Sequence, residues 1–278
     1  MSASIVAYKN PAPVLTRAIN SFLDSVRDSV LYVIDNSPTD ALRHIASDPR
    51  VIYIHCRKNI GFGAAHNVAL RSVMQHSTYH LVLNPDVYFD ASVLPELRDF
   101  MDANPDVGLV MPKVLSPDGT VQRLCKLLPT PWTLFVRNFL PPLADRENFT
   151  YELQFADYDR LLDVPFLSGC FMFLRMSALK RVGLFDERYF LYGEDLDLCR
   201  RIHQHARTVY YPHAVIYHNQ EKANGLLFHK IRNLSRYFSK WGWIHDEERQ
   251  KINDKILNEG IEEYGLESEN FSERRVPG

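Results

Sequence analysis

The chain is poor in cysteine, has no large excess of charge of either sign, and has no hydrophobic run long enough to cross a bilayer. Its four cysteines are scattered among 278 residues and form no C-x-x-C pair, which excludes a zinc ribbon and a disulfide framework and favours reduced thiols in a cytosolic protein. The net charge of -2 argues against a protein that binds nucleic acid through bulk charge. The most apolar run, at residues 164–174, is interrupted by Ser168 and Gly169 and is too short for a membrane span.

The first residues contain neither a basic segment nor a long apolar segment, so no signal peptide is predicted and the expected location is the cytoplasm. A chain of 278 residues can bury a full core, and its composition is that of an ordinary globular protein. One α/β domain with a C-terminal extension is the first expectation.

Strand and helix patterns alternate through the first hundred residues. Such alternation predicts βαβ units and a mostly parallel central sheet flanked by helices, which is an α/β fold. Ligands of such sheets bind beyond the carboxyl ends of the strands, so the polar residues that follow each strand are the candidates for function. The predicted strands are residues 4–8, 31–35, 51–55 and 80–83, and the predicted helices are residues 14–26, 63–74 and 91–101.

The rest of the chain has a less regular pattern. Residues 123–163 contain four prolines among aromatic residues, which predicts a long loop over the site. Regular patterns then predict a helix after Glu194, short strands at 209–211 and 215–217, and helices at 226–240 and 247–264. The predicted domains are a catalytic domain over residues 1–225, with halves at 1–115 and 116–225, and a helical extension with a frayed tail over residues 226–278.

Two polar turns follow predicted strands. Asp35 and Asn36 end the second strand, where their carboxylate and amide can hydrogen-bond a nucleobase, although the same residues also form good turns. Asn84-Pro85-Asp86 ends the fourth strand, where Asp86 can ligate Mg²⁺ or Mn²⁺ together with the oxygens of a diphosphate. The alternative there is an Asn-Pro turn with a capping aspartate.

A glycine-containing segment follows the third predicted strand. Arg57 and Lys58 precede Gly61 and Gly63 at the predicted start of a helix. Glycines allow close approach to the backbone, and a helix N-terminus favours a phosphate, but two glycines can also simply form a tight turn. A dehydrogenase is not indicated, because His66 occupies the place of the third glycine in the dinucleotide-binding motif.

Two further candidates lie nearer the C-terminus. The adjacent carboxylates of Glu194 and Asp195 follow an aromatic turn and begin a predicted helix. A helix N-terminus keeps carboxylates ionised, and an ionised carboxylate beside a hydroxyl can act as a general base; helix capping is the alternative. His218 follows a short predicted strand and can bind a metal or a diphosphate, or be an ordinary buried histidine.

Taken in order, these motifs resemble those of glycosyltransferase family 2, the inverting, nucleotide-sugar-dependent enzymes with the GT-A fold. The resemblance covers about residues 3–245 and also rests on Ser168-Gly169-Cys170 and on residues 183–187. Asn-Pro-Asp stands where the family has Asp-x-Asp, and with Asn233-x-x-Arg236-Tyr237 downstream the chain looks most like the bacterial rhamnosyltransferase branch. Members of that branch build O-antigen, lipopolysaccharide and related cell-envelope glycans.

The resemblance implies a role for each matching residue. Asp195 would be the catalytic base, and Glu194 would orient the acceptor or share that task. Asp86 would hold Mg²⁺ or Mn²⁺ with help from His218. The acceptor side would be lined by Ser168, Gly169 and Cys170, and the donor would contact Ala7, Tyr8, Asp35, Arg57, Asn59, Gly61, Gly63, Asn67, Asn84 and Asp86. The chain departs from the family where Asn84 replaces a carboxylate and where Lys9-Asn10 follows Tyr8 in place of Asn-Arg.

The implied reaction moves a sugar, in the first place L-rhamnose from dTDP-L-rhamnose, to a hydroxyl of a glycan or lipid-linked oligosaccharide. UDP- and GDP-sugars remain alternative donors, and a nucleotidyltransferase or a decayed sugar-binding module remains an alternative function. No nucleic-acid partner is expected, and the oligomeric state is left open. A basic, tryptophan-containing helix within residues 226–243 either contacts an anionic membrane surface, at the inner face of the cell membrane, or packs on the catalytic domain.

Overall fold

Strands and helices alternate from the first residues of the computed structural model, which describes residues 1–219 and 227–264. The strands are β1 (Ser2–Ala7), β2 (Val30–Asp35), β3 (Val51–His55), β4 (Tyr79–Leu83), β5 (Val87–Phe89), β6 (Val107–Leu115), β7 (Cys125–Lys126), β8 (Leu162–Asp163), β9 (Phe166–Leu167), β10 (Phe171–Arg175) and β11 (Arg207–His218). The helices are α1 (Ala12–Ser25), α2 (Phe62–Val73), α3 (Val93–Ala103), α4 (Pro131–Phe139), α5 (Pro141–Tyr151), α6 (Met176–Val182), α7 (Glu194–His203), α8 (Leu227–Trp241) and α9 (Glu247–Tyr264).

The central sheet has nine strands in the order β3-β2-β1-β4-β10-β6-β11-β5, with β8 paired to β11. Six of them run in one direction, while β10, β5 and β8 run against their neighbours. Helices α1 and α3 pack together, and α2, α6 and α7 pack together, which covers the two faces of the sheet. The predicted α/β class and mostly parallel sheet are confirmed.

Strand β10 lies in the middle of this sheet, between β4 and β6, and is antiparallel to both. Its first residue, Phe171, pairs with Leu83, the last residue of β4. The start of an antiparallel strand therefore coincides with the carboxyl ends of the parallel strands. This reversal brings residues 168–170, which precede β10, to the edge where ligands bind.

A buried polar network lies between β1 and its neighbours. The ring nitrogens of His80 are 2.8 Å from the hydroxyl oxygens of Ser2 and Ser4, and Ser4 Oγ is 2.7 Å from Nδ1 of His66. All four side chains are buried. Burial lowers the pKa of His80 to about 3 and lowers that of His66 well below its ordinary value, so both histidines are neutral at physiological pH.

The structure corrects two of the predictions. Residues 207–218 form one long strand, β11, whose pairing with β6 shifts in register between Tyr211 and Val215; this irregularity separates the two short strands predicted there. The loop predicted over residues 123–163 contains α4 and α5. Thr130 caps α4 by accepting a hydrogen bond from the amide of Thr133, and a proline lies in the first turn of each helix, a position where proline is favourable.

The C-terminal helices are joined to α7 by buried charges. Asp197 accepts hydrogen bonds from Lys240 Nζ at 2.6 Å and from the Trp241 indole at 2.8 Å. Arg200 donates to both carboxylate oxygens of Asp246 at 2.6 and 2.7 Å. These bonds hold α8 and α9 on the catalytic domain. The predicted frayed tail, the last dozen residues of the chain, lies outside the described residues, as does residue 226 of the predicted basic helix.

The basic helix α8 packs on the domain, which is the second of the two interpretations of its sequence. Lys230 donates to Asn138 Oδ1 at 3.1 Å, and Arg236 donates to the carbonyl of Arg188. Together with Lys240, three of its four cations are therefore engaged by protein groups, and Arg232 is exposed. Among the helices of residues 1–219 and 227–264, none has the length and apolarity needed to cross a membrane.

Candidate active site

The predicted site residues come from the carboxyl ends of neighbouring strands. Ala7 ends β1 and pairs with Asp35, which ends β2. Asn84, Pro85 and Asp86 follow the end of β4 directly. Since these strands are parallel neighbours, their ends meet along one edge of the sheet. The sequence prediction that polar residues after the strands lie together is supported by this placement.

His218 lies beside Asp86. It ends β11 and pairs with Val87 of β5, the residue after Asp86. Its Nε2 atom is 3.5 Å from Oδ1 of Asp86. Two ligands at about 2.1 Å from one ion are no more than about 4.2 Å apart, so this nitrogen and this oxygen are close enough to bind the same divalent cation.

Gln122 determines which nitrogen of His218 is available. The Gln122 amide nitrogen donates to the backbone carbonyl of His218 at 2.8 Å, so the Gln122 oxygen faces Nδ1 of the imidazole at 3.0 Å. An amide oxygen only accepts, hence Nδ1 carries a proton and donates it. Nε2 is left directed toward Asp86, as in metal-binding histidines whose other ring nitrogen has an outer hydrogen-bond partner.

Glu194 and Asp195 form the first turn of α7, behind a turn in which Tyr192 has φ 72° and Gly193 has φ 97°. A non-glycine residue with positive φ is strained. Asp195 Oδ1 accepts a hydrogen bond from its neighbour Leu196 N at 2.8 Å, and its Oδ2 accepts one from Gly169 N at 3.1 Å. The Asp195 side chain is half-buried, which leaves it accessible to a substrate hydroxyl.

The two carboxyls have different surroundings. Glu194 is buried, and its Oε2 has no hydrogen-bond partner within the described ranges. Burial, together with the charge of Asp195, raises the pKa of Glu194 to about 8. Burial also raises the pKa of Asp195, while its two backbone amide partners oppose that change. The two carboxyls thus differ in their hydrogen bonds: Asp195 accepts two from backbone amides, whereas Glu194 Oε2 accepts none from the described residues.

The segment Ser168–Cys170 connects the two parts of the site. Gly169 donates its amide hydrogen to Asp195, and the carbonyl of Cys170 accepts a hydrogen bond from Asn84 N at 2.9 Å. A Cβ atom on Gly169 would lie 3.1 Å from Cβ of Asp195, so a side chain there would press on Asp195. Burial raises the pKa of the Cys170 thiol to about 12, which makes this cysteine an inert part of the wall.

Gly61 and Gly63 allow α2 to approach the turn before α7. Gly61 has φ 92°, and a Cβ atom there would lie 2.5 Å from the carbonyl oxygen of Phe190. At Gly63 a Cβ atom would lie 2.9 Å from Cβ of Phe185. The backbone amide of Phe62 donates to the same Phe190 oxygen at 3.0 Å. Gly61 therefore forms the turn that begins α2, and Gly63 lies within α2, where it lets the helix pack closely against the segment before Glu194.

Several residues assigned to the donor are already bonded within the protein. Asp35 is fully buried, with its oxygens accepting from Ser37 N and from the Tyr53 hydroxyl. Asn67 is buried and bonds through its amide to the backbone of Phe185 at 2.9 and 3.1 Å. Asn59 Oδ1 accepts from Gly61 N at 2.9 Å. These side chains shape the loops around the site.

Other donor candidates are open to solvent. The Tyr8 ring is exposed at the end of β1. Arg57 and Lys58 are exposed beyond β3, and no hydrogen bond joins either side chain to another of the described residues. Arg57 has φ 60°, an uncommon conformation for a residue with a side chain. Exposed, unpaired cations at this edge are available for a phosphate or a base.

Comparison with known proteins identifies the family. The family model described as Glycosyl transferase family 2 matches residues 2–183. The chain belongs to glycosyl transferase family 2. It is therefore a glycosyltransferase, as the sequence motifs predicted.

Two curated relatives of this family 2 enzyme are informative. An N-acetylglucosaminyl-diphospho-decaprenol L-rhamnosyltransferase of Mycobacterium tuberculosis is 29% identical over 233 residues, which are 78% of this chain and 75% of the relative. The low-salt glycan biosynthesis hexosyltransferase Agl10 of Haloferax volcanii is 25% identical over 205 residues, 72% of this chain and 61% of the relative. The mycobacterial relative supports the rhamnosyltransferase-like branch.

Solved structures confirm the GT-A fold. GalNAc-T7, solved with UDP, GalNAc and Mn²⁺, aligns with a TM-score of 0.63 at 14% identity, over 96% of this chain and 54% of that one. The mannosyltransferase PcManGT from Pyrobaculum calidifontis, solved with GDP-Man and Mn²⁺, aligns with a TM-score of 0.58 at 15% identity, over 95% and 76% of the two chains. At such identities the likeness shows the fold.

The residues of this family 2 chain fit a metal ion that is completed by substrate. Within residues 1–219 and 227–264, no group of three or more histidine, cysteine or carboxylate side chains is arranged to hold a metal. Asp86 and His218 supply two donors, and Mg²⁺ commonly binds through one or two protein ligands plus substrate phosphates. Gln122, which orients His218, was missed by sequence reasoning because no motif marks it. Its role is seen only from the two hydrogen bonds between its side chain and His218.

Proposed function

We propose that this family 2 enzyme transfers L-rhamnose from dTDP-L-rhamnose to a hydroxyl of a lipid-linked oligosaccharide or related cell-envelope glycan such as O-antigen, at the inner face of the cell membrane. The observation that carries the proposal is the Ser168–Cys170 segment, which is bonded to Asp195 on one side and to Asn84, next to the Asp86 turn, on the other. A candidate base and a candidate diphosphate site would thereby lie near each other at one edge of the sheet. The mycobacterial rhamnosyltransferase supports the choice of sugar.

The leaving-group side of the proposed site would consist of Asp86 and His218, with the exposed cations Arg57 and Lys58 along the same edge of the sheet, after β3. Asp86 and His218 would hold Mg²⁺ or Mn²⁺, and the Mn²⁺ in the structures of GalNAc-T7 and PcManGT supports a divalent ion. Such an ion, when bound, offsets the negative charge that develops on a departing diphosphate. The lysine and arginine add positive charge near the same strand ends.

The acceptor side of the cleft is built around Asp195. Its carboxylate is half-buried and held by two backbone amides, so it can take the proton of an acceptor hydroxyl as that oxygen attacks the sugar. A single displacement of this kind inverts the anomeric carbon. Glu194, which keeps its proton to higher pH, would orient the acceptor.

A thermal-shift panel tests the donor assignment. The protein is heated with dTDP, UDP, GDP and CDP, each with Mg²⁺, Mn²⁺ or EDTA. A ligand at 100 times its Kd adds about 2.7 kcal/mol to stability, so a metal-dependent shift with dTDP is the expected result. A shift with UDP or GDP would redirect the donor assignment. No shift with any nucleotide would favour a decayed module.

Sugar transfer is then measured with a nucleotide-sugar that carries the nucleotide with the largest thermal shift. The expected result is release of nucleoside diphosphate that requires an acceptor bearing a free sugar hydroxyl. The Asp86→Ala variant should bind the nucleotide equally with and without metal, because its metal ligand is gone. A metal-dependent shift that persists in this variant would refute the assignment of Asp86.

A further inference from the structure

The turn that precedes the two candidate catalytic carboxylates is bonded to a helix of the C-terminal extension. Residues 188–193 lead into Glu194 and Asp195 at the start of α7. Within this turn Tyr192 has φ 72° and Gly193 has φ 97°. A tyrosine with a positive φ is strained, and such a conformation persists only where the surrounding structure fixes it. The contacts that fix this turn therefore determine where the two carboxylates lie.

Two neighbouring carbonyls of the turn accept hydrogen bonds from two different helices. Phe190 O accepts from the backbone amide of Phe62, the first residue of α2, at 3.0 Å. Leu191 O accepts from Nδ2 of Asn233, on α8, at 2.7 Å. The backbone just before the strained residue is thus attached to both helices.

Arg236 fixes the orientation of the Asn233 amide. Its Nη1 donates to Oδ1 of Asn233 at 3.1 Å, and it also donates to the carbonyl of Arg188 at the start of the turn. A guanidinium only donates, so the Asn233 oxygen faces Arg236 and the Asn233 nitrogen faces Leu191. Asn233 is 1% exposed, so water does not readily replace either bond.

The same face of α8 also contacts α7. Asn233, Arg236 and Lys240 are spaced at i, i+3 and i+7, which places them on one side of the helix. Lys240 Nζ donates to the carboxylate of Asp197, in the first turn of α7, at 2.6 Å. The backbone oxygen of Asn233 lies 3.8 Å from the position that a Cβ atom on Gly193 would take. One helix face therefore contacts both the strained turn and the beginning of α7.

We propose that Asn233, oriented by Arg236, is a positioning residue that holds the carboxylate of Asp195 where it can accept a proton. It acts through the backbone: its bond to Leu191 opposes relaxation of the strained Tyr192, and α7 begins two residues later. This inference rests on the proposed function for the role of Asp195 as a base, but the position of Asp195 can be measured without sugar transfer.

Turnover is measured in variants that remove each side-chain donor. Asn233→Leu removes the amide and keeps a side chain branched at Cγ, and Arg236→Met removes the guanidinium and keeps an unbranched chain. In both variants kcat should fall roughly 10–100-fold, because a displacement of about 1 Å near the chemistry can cost about 10²-fold. KM for the nucleotide-sugar should stay within about twofold, since the interaction is lost only in the transition state.

Three further variants are controls. Arg236→Lys keeps a cationic donor and should recover most of the rate that Arg236→Met loses. Asn258→Leu, at an exposed position on α9, and Arg181→Met, at an exposed position on α6, make the same changes away from the turn. Both should turn over like wild type.

Amide hydrogen exchange, followed by NMR, reports the position of Asp195 directly. The amides of Gly169 and Leu196 donate to its two carboxylate oxygens, and Leu196 lies in the first helical turn, where amides lack an intrahelical acceptor. In Asn233→Leu both amides should exchange roughly tenfold faster or more. The amide of Val33, in the middle of β2 between β1 and β3, should exchange as in wild type.

The outcomes distinguish positioning from general stabilisation. Wild-type turnover or wild-type exchange at Gly169 and Leu196 in folded Asn233→Leu would overturn the proposal. So would a loss of turnover that is matched by loss of the nucleotide thermal shift and by faster exchange at Val33, because Asn233 would then only stabilise the fold. If Asn233→Leu does not fold, the same measurements on Arg236→Met decide, and no recovery in Arg236→Lys would count against the proposal.

Failure of the proposed function gives a different result. If the wild-type protein transfers no sugar from any nucleotide-sugar, the assigned reaction is wrong. Faster exchange at Gly169 and Leu196 in Asn233→Leu would still show that Asn233 positions Asp195. Normal transfer by the wild type together with unchanged exchange in Asn233→Leu would leave the proposed function standing and overturn the positioning role alone.

Discussion

At the scale of single residues, Glu194 and Asp195 are neighbours in sequence but differ in what surrounds their carboxyls. Asp195→Asn should reduce turnover by roughly 10²–10⁴-fold, the usual contribution of a positioned base, with donor affinity retained. Glu194→Gln should retain turnover within about tenfold, because burial already favours the uncharged carboxyl that glutamine imitates. The two rates are measured with saturating donor and acceptor.

The comparison between these two variants decides the assignment. If Glu194→Gln proves as inactive as Asp195→Asn, Glu194 ionises in the reaction and shares the role of base. If Asp195→Asn turns over at near the wild-type rate, Asp195 has a structural role as a helix cap. Nucleotide thermal shifts of both proteins control for misfolding.

Gln122 should influence metal binding without contacting the metal. Gln122→Leu removes both bonds to His218, so we expect 10–100-fold weaker metal affinity, as for other outer partners of histidine ligands. The measurement is the metal concentration at half-maximal dTDP shift. Gln75→Leu, at an exposed helix end, is the control; a midpoint equal to wild type in Gln122→Leu would show that Gln122 does not position His218.

At the scale of elements, Gly61 fits α2 against the turn before α7. Gly61→Ala and Gly119→Ala each place a side chain at a positive φ, at 92° and 86°, but only at Gly61 would the new atom meet a carbonyl oxygen. In both variants backbone strain should lower the free energy of unfolding by about 1–3 kcal/mol. In Gly61→Ala overpacking should lower it by about 1–3 kcal/mol more, and most of the activity should be lost. Urea unfolding and turnover check this; equal losses would show that the Phe190 contact is easily relieved.

The elements that the sequence predicted well are those with strong patterning. Strand β3 and helix α9 have the predicted bounds, and α1, α2 and α3 differ by one or two residues at most ends. Helices α4 and α5 were missed because their prolines were interpreted as loop formers, whereas Pro131 and Pro141 lie in first turns. Proline disrupts the interior of a helix but is favourable in the first turn. At Pro131 the preceding capping residue, Thr130, is the sequence signal for the second case.

The chemistry of the site was also only partly predictable. Residues that follow strands, such as Asp86, could be found because parallel topology gathers strand ends. Gln122 could not be found, because only a long-range amide contact brings it to His218. Asp35 and Asn67 match the family's motif, yet the structure shows that their polar atoms bond mainly to the protein itself.

At the scale of the whole molecule, the network of Ser2, Ser4, His66 and His80 makes stability depend on pH. The folded pKa of each histidine lies below its unfolded value of 6.5, so the unfolded chain binds more protons at low pH. The stability that the two neutral histidines contribute is complete above about pH 6.5 and is lost as the pH falls, for His80 down to about 3. The loss is up to about 1.4 kcal/mol per pH unit for each histidine.

His80→Gln should remove the part of the pH dependence of stability that comes from His80. We expect the free energy of unfolding in urea to fall less steeply between pH 6.5 and 5 in this variant than in wild type, since glutamine does not titrate. Comparing the two proteins cancels other groups. His76→Gln, at an exposed position, should keep the wild-type slope, and an unchanged slope in His80→Gln would mean that His80 is protonated in the folded protein.

The central position of β10 bears on how this enzyme can diversify. β10 belongs to the second half of the chain but pairs Met172 with Val82 and Leu174 with Leu109, both in the first half. The two halves of the chain, residues 1–115 and 116–225, therefore share one interwoven sheet and cannot be exchanged as modules between relatives. A chimera joined at residue 115 would have to accept a foreign middle strand. New pairings of donor and acceptor should instead arise by change in segments outside the sheet, of which α4 and α5 form the largest block between two strands.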